Sequence, residues 1–280
     1  MTYILPNPIP MQPTTGIQQP WQAPNQIFPN PVVQQKTSNI HQIVEAFKPK
    51  KAGKKTSHVI FVLDDSASMQ SCRETTISGY NEYLLMQKKD ADENGIPTFV
   101  SLYKFNGSSV TCVMNRVSVN EVEDLNHETY NPRGSTNLYD AIGGVMMQVN
   151  KDLSEKKKSE RDSIIITILT DGQENASKTF NNQGIKQMIE KAEGKNWGFM
   201  FLGANIDAFI VGSALGFSTH NTLQFETGAA ENTIRAASAM TTRMKSAYAS
   251  GQDTTLAYAT SAFTDYERTQ AVLKDEQDTI

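Results

Sequence analysis

Asp64, Ser66 and Ser68 stand at i, i+2 and i+4 directly after an apolar run from Val59 to Leu63. All three side chains carry oxygen donors and only one is charged. If the loop curls, the three can turn toward one point. That donor set suits a hard divalent cation of the Mg²⁺ type, which takes oxygens at about 2.1 Å in an octahedron and keeps some of its waters. Alone, the spacing also fits a helix N-terminus, with Ser68 or Ser71 as the cap and Asp64 favoured by the helix dipole. Two further segments bear on the choice. Residues 163–170 form a second apolar run that ends in Asp171-Gly172, and Gly134-Ser135-Thr136-Asn137 is a turn that opens a helix. If the two apolar runs are neighbouring strands, they lie about 4.8 Å apart. Asp64 and Asp171 would then flank one ion, directly or through a water, and Thr136 would offer its hydroxyl from an adjacent loop.

In order and approximate spacing, Asp64, Ser66, Ser68, Thr136 and Asp171 resemble the metal-ion-dependent adhesion site of von Willebrand factor A domains. All five metal-site positions match, and the resemblance runs over residues 57–225. Asp65 and Ala67 fill the variable positions, where small residues, commonly a Gly in the second, are more usual. The Asp65 carboxylate would face solvent or add to the negative charge of the site. Residues 201–208 followed by 214–216 look like the distal part of stand-alone A-domain proteins of bacteria and their phages, similar to the tellurium-resistance-associated group. The resemblance implies an α/β fold, a Rossmann-like doubly wound sheet, mostly parallel with one antiparallel edge strand and helices on both faces. It implies a bound Mg²⁺ (or Mn²⁺ or Ca²⁺) whose open position takes an Asp or Glu from a protein partner.

The elements that must position these residues are legible from pattern. The Val59–Leu63 run reads as a strand buried on both faces. A helix over 73–87 follows, so the Asp-x-Ser-x-Ser loop sits at a strand-to-helix turn, where ligands bind in open α/β sheets. Residues 98–105 and 110–117 read as strands joined through Asn106-Gly107, a hairpin signal that makes the second an antiparallel edge. A short helix is expected over 119–125. Leu138, Ala141, Ile142, Val145, Met146 and Val149 carry helical periodicity, as do Ile185, Met188, Ile189 and Ala192. Residues 197–202 are another buried strand. Asn205 is placed to cap a helix ending at Leu215 and Gly216, and 222–225 read as a last strand. The loops 70–74, 106–109, 130–135 and 173–178 would form the metal rim and select the partner.

Outside 57–225 the chain changes character. Residues 1–56 are an extension. Residues 1–35 hold eight of the eleven prolines and no charged side chain, which favours extended backbone. Residues 38–47 pattern as a short amphipathic helix, too short to stand alone in water, and a basic linker from Lys48 to Lys55 follows. These features make assembly neighbours, met through residues 1–47, a further class of partner. Residues 226–280 read as a long helix over 227–250 and a tail that orders only in an assembly.

The 280 residues leave room for one sizeable domain, and the formal charge of −4 gives no sign of a nucleic-acid binder. No apolar run reaches the ~18 residues that span a bilayer, and no secretory signal pattern opens the chain. A reduced, cytoplasmic protein is expected, virion-associated if phage-encoded. Cys72, near a helix start, reads as an ordinary thiol rather than an acidified one. Three functions compete. The first is a non-enzymatic, metal-dependent protein-binding module. The second is an architectural subunit of a larger assembly, held by its arms. The third is a Mg²⁺-dependent phosphoryl-transfer enzyme, against which stands the lack of a phosphate-cradling Gly-rich loop and of basic residues near the motifs beyond Arg73 and Arg133.

Overall fold

The computed structural model describes residues 56–157 and 160–273. The expected N-terminal arm, docking helix and basic linker lie outside the described residues. The apolar runs do become the central strands. β1 (Ser57–Asp64) is buried along its whole length and pairs in parallel with β2 (Thr98–Asn106) on one side and β4 (Ser163–Thr170) on the other. β5 (Trp197–Ala204) and β6 (Thr222–Phe225) extend the sheet in parallel. β3 (Ser109–Ser118) returns antiparallel to β2 across the Asn106-Gly107 turn, so the order is β3-β2-β1-β4-β5-β6. This is a doubly wound α/β fold with one antiparallel edge, as expected. Gly107 does more than turn: its amide donates to the Ser135 carbonyl at 2.6 Å, and a Cβ there would overlap the Ser135 hydroxyl.

Side chains alternate across β1 and feed two cores. Val59, Phe61 and Leu63 pack with Tyr80, Tyr83 and Leu84 of α1 (Arg73–Asn94) and with Ile234, Met240 and Met244 of α5 (Ala230–Ala249). Ile60 and Val62 face α2 (Leu138–Ser154), α3 (Asn182–Glu193) and α4 (Ala208–Leu215). Each fully buried side chain of this kind contributes about 1.5–3 kcal/mol.

Three local expectations change. The 119–125 segment yields only a 3₁₀ turn at Val119–Glu121. Asn205 does not cap α4: it takes a left-handed φ of +52°, and Asp207 caps instead, accepting from the Ile210 amide at 2.9 Å. Residues 251–273 of the tail do not wait for an assembly. α6 (Thr254–Ser261) and α7 (Asp265–Gln270) follow α5 and pack on the same face as α1. Tyr258 secures them, its hydroxyl accepting from the Phe199 amide and donating to Glu193, both at 2.9 Å. No helix among the described residues is long and apolar enough to cross a membrane.

Candidate metal centre

The register of the sheet decides where the carboxylates fall. Leu63 pairs with Leu169, which sets Asp64 beside Thr170 and Asp171 one step beyond it. The Thr170 hydroxyl donates to Asp64 Oδ2 at 2.6 Å, and the Ser66 amide donates to Asp64 Oδ1 at 2.8 Å. The Ser66 and Ser68 hydroxyls are 3.2 Å apart, and the Ser68 hydroxyl donates to Asp171 Oδ1 at 2.6 Å. Thr136 arrives from the loop before α2. Its Oγ1 would lie 2.8 Å from a Cβ built on Gly172, and Ser68 Oγ 3.5 Å from the same point. A side chain at position 172 would therefore fill the space between these hydroxyls. Asp64, Ser66, Thr136 and Asp171 are buried, while Ser68 is exposed. The structure thus brings the five predicted residues together from three loops at one end of the sheet.

Backbone contacts lock the loops to one another. The Ala67 amide donates to the Gly134 carbonyl at 3.0 Å and the Arg133 amide to the Asp65 carbonyl at 2.7 Å. The Tyr130 hydroxyl donates to the Asp64 carbonyl at 2.8 Å. After Ser66 the chain enters a 3₁₀ helix, Ala67–Cys72, that runs into α1, so residues 70–72 are helix rather than free rim. The helix-cap alternative fails: the Ser68 hydroxyl donates to Asp171 and the Ser71 hydroxyl to the Ser68 carbonyl, and neither caps the 3₁₀ helix or α1.

Burial raises the Asp64 carboxyl to about 6, against the opposing hydrogen bonds from Thr170 and Ser66. Asp171 is also raised by burial, against the bond from Ser68. Asp171 Oδ2 is buried and has no hydrogen-bond partner among the described residues. No group of three or more His, Cys, Asp or Glu among the described residues is placed to hold a metal ion, so any cation held here must rely on hydroxyls for the rest of its shell. Two carboxylates, one of them with an unpartnered buried oxygen, and three hydroxyls fit a hard divalent cation, which favours oxygen donors and tolerates water as the remaining ligands.

Other residues near the centre differ from expectation. Asp65 neither faces solvent nor stands uncompensated: it is buried and pairs with Lys104 Nζ at 3.2 Å. Cys72, by contrast, is the unacidified thiol that was expected: it is buried, and that burial pushes it up to about 12. The 173–178 loop also behaves unexpectedly. Glu174 accepts from the amides of Tyr139, Ala176 and Ser177, and Asn175 accepts from the Thr136 amide. The supporting roles of Thr170, Tyr130, Glu174 and Asn175 escaped sequence reasoning. Only Thr170 carried a signal, since pairing of the two apolar runs sets it opposite Asp64.

No family model matches the chain, and no curated protein matches it. Among solved structures, it resembles the pilus adhesin SpaC of Lactobacillus rhamnosus GG with a TM-score of 0.50 at 13% identity, covering 69% of this chain and 31% of SpaC. At that identity the likeness shows the fold alone. Proximal thread matrix protein 1 of the mussel byssus, solved with a zinc-occupied MIDAS motif, gives a TM-score of 0.43 at 14% identity over 66% of this chain and 46% of its own. The VWA domain of SpRpn10 gives 0.39 at 9% identity over 61% and 87%. The chain spans about half the length of the mussel protein, 48% of it in a second crystal form.

Proposed function

We propose that the chain is a divalent-cation-dependent protein-binding module of the von Willebrand factor A type, and not an enzyme. Asp64, Ser66, Ser68, Thr136 and Asp171 would hold the ion, Mg²⁺ or alternatively Mn²⁺ or Ca²⁺. A cation bound there would keep a coordination position that hydroxyls and carboxylates of the chain leave open to an Asp or Glu carboxylate of a partner. The observation that carries the reading is the convergence of five oxygen-bearing side chains around a buried Asp171 oxygen that no described residue satisfies.

The chain's own residues supply orientation and exclusion. Thr170 and the Ser66 amide fix both oxygens of Asp64, and Tyr130 anchors its carbonyl. Ser68 is exposed, which leaves the centre approachable from solvent. The phosphoryl-transfer reading loses support because the Arg73 guanidinium is committed to the carbonyls of Tyr130 and His127, at 3.0 and 2.6 Å. Calorimetric titration of the intact chain with Mg²⁺ and with Mn²⁺ tests the proposal. One-to-one binding that disappears in Asp171→Ala, together with capture of an acidic partner from the native source that chelator abolishes, is the expected result. A wild-type chain that takes up neither ion overturns it.

A further inference from the structure

We infer that Asn175 is a positioning residue for the Thr136 hydroxyl, and that it makes the Thr136 and Asp171 loops one mechanical unit; this rests on the metal-binding reading above. The geometry starts at α2. The first amides of a helix lack intrahelical acceptors, and a residue before the helix ordinarily provides one. Asn137 holds that place and makes no side-chain cap. The caps come instead from the loop that leaves β4. The Tyr139 amide donates to Glu174 Oε2 and the Asp140 amide to the Ser177 hydroxyl, both at 3.0 Å, while ahead of the helix the Thr136 amide donates to Asn175 Oδ1 at 2.9 Å. Asp140 reciprocates, accepting from the amides of Lys178, Thr179 and Phe180 at 2.8–2.9 Å.

Within this clamp Asn175 alone grips both sides of Thr136. Its side chain takes the Thr136 amide, while its own amide, with that of Ala176, donates to the Thr136 carbonyl at 3.0 and 3.1 Å. Thr136 is thereby held to the segment that begins with Asp171 and Gly172. A neutral hydroxyl is a weak donor to a cation, so its contribution depends on being oriented beforehand. Residues that orient ligands from behind are commonly worth 10–100-fold in metal affinity. Glu174 and Ser177 cap α2 without touching Thr136 and serve the helix. Asn175 serves the ligand.

The test uses the full chain and Mn²⁺, with free Mn²⁺ followed by electron paramagnetic resonance and the metal-free melting temperature recorded for each variant. Asn175→Ala should lower Mn²⁺ affinity about tenfold or more while leaving the metal-free protein folded at the assay temperature. Asn175→Asp, which keeps the acceptor, should restore affinity to near wild type. Because aspartate also adds charge, Gln173→Asp is combined with Asn175→Ala: it adds the charge on the same loop without the acceptor, and affinity should stay low. Should Asn175→Ala melt below the assay temperature, Asn175→Leu, which keeps the bulk without an acceptor, goes through the same titration with the same expectation. Wild-type affinity in the alanine or leucine variant overturns the inference, as does rescue by Gln173→Asp equal to that of Asn175→Asp. A wild-type chain that ignores Mn²⁺ removes the metal-binding reading itself, a different result from either.

Discussion

Replacing Asp64 by Asn should stabilise the protein without metal and destroy its response to metal. Asp64 is fully buried, and its carboxyl rises from the ordinary 3.8 to about 6, first because burial penalises the charged form. An acid whose pKa is higher in the folded than in the unfolded state binds protons more tightly when folded. Stability therefore falls as pH rises from about 4 to about 6, and above that window the metal-free protein carries the whole penalty. From 3.8 to about 6 the penalty is about 3 kcal/mol. An Asn keeps one oxygen for the Ser66 amide and turns its NH₂ toward the Thr170 hydroxyl, in place of the charge-assisted bond Thr170 now donates at 2.6 Å. The penalty is already net of that bond; turning the Thr170 hydroxyl to meet an NH₂ costs roughly 1–2 kcal/mol, which leaves a net gain of about 1–2 kcal/mol. For a chain of this size, that is a melting temperature about 2–8 °C higher. The assay is thermal unfolding in chelator at pH 7.5 and at pH 4.5, then at pH 7.5 with saturating Mg²⁺. The advantage of Asp64→Asn should be present at pH 7.5 and gone at pH 4.5, where the wild-type carboxyl is protonated. Mg²⁺ at a hundred times its Kd should add about 2.7 kcal/mol to the wild type and nothing to the variant. A variant that melts at or below wild type in chelator at pH 7.5 refutes the electrostatic argument. Equal stabilisation of both chains by Mg²⁺ refutes the placement of the ion.

Two other outcomes follow from the same structure. His58 is buried against the Ser101 hydroxyl at 2.7 Å, and burial lowers its pKa from 6.5 to about 4. The unfolded chain thus protonates first, so stability is full above about pH 6.5 and falls by up to about 3 kcal/mol toward pH 4; denaturant titrations of His58→Gln should lack this component, and identical pH profiles would refute it. Gly172→Ala places a methyl 2.8 Å from Thr136 Oγ1, so calorimetry should find cation affinity at least about tenfold weaker with the melting temperature little changed, and unaltered affinity would remove Thr136 from the centre.

The parts of the fold read correctly beforehand are those where pattern and environment coincide. β1 and β4 are continuous apolar runs because both faces of a central parallel strand are covered. What escaped has polar residues inside. The buried face of α1 includes Gln87 and Asp90, which meet Lys245 of α5: Gln87 donates to Ser238, Lys245 donates to Gln87 Oε1 at 3.0 Å, and Lys245 pairs with Asp90. Both helices are legible from their apolar residues, but no apolar periodicity records polar side chains that satisfy one another across distant segments. The tail escaped for a similar reason, since Tyr258 holds α6 through hydrogen bonds that no periodicity records. At the centre, the five oxygen donors were legible because their spacing is local to each loop. The clamp of Glu174, Asn175 and Ser177 was read as rim because nothing in a run of polar residues tells which side chains turn inward.

Asp65 shows why the distinction between rim and support matters for the proposed partner. A divalent cation between Asp64 and Asp171 would be formally neutralised once both carboxylates ionise. A third carboxylate in the same loop would repel an incoming acidic side chain. Asp65 is that third carboxylate, next in sequence to a proposed ligand, yet Lys104 reaches it from β2 across the β1–β2 pairing that sets Asp64 against Phe105. Both partners of this pair are largely shielded from solvent, so salt screens the compensation less than it would an exposed pair. The extra charge that distinguishes this loop is therefore cancelled from within the sheet. On the proposed reading, that cancellation lets a chain with Asp at this position still accept an acidic anchor.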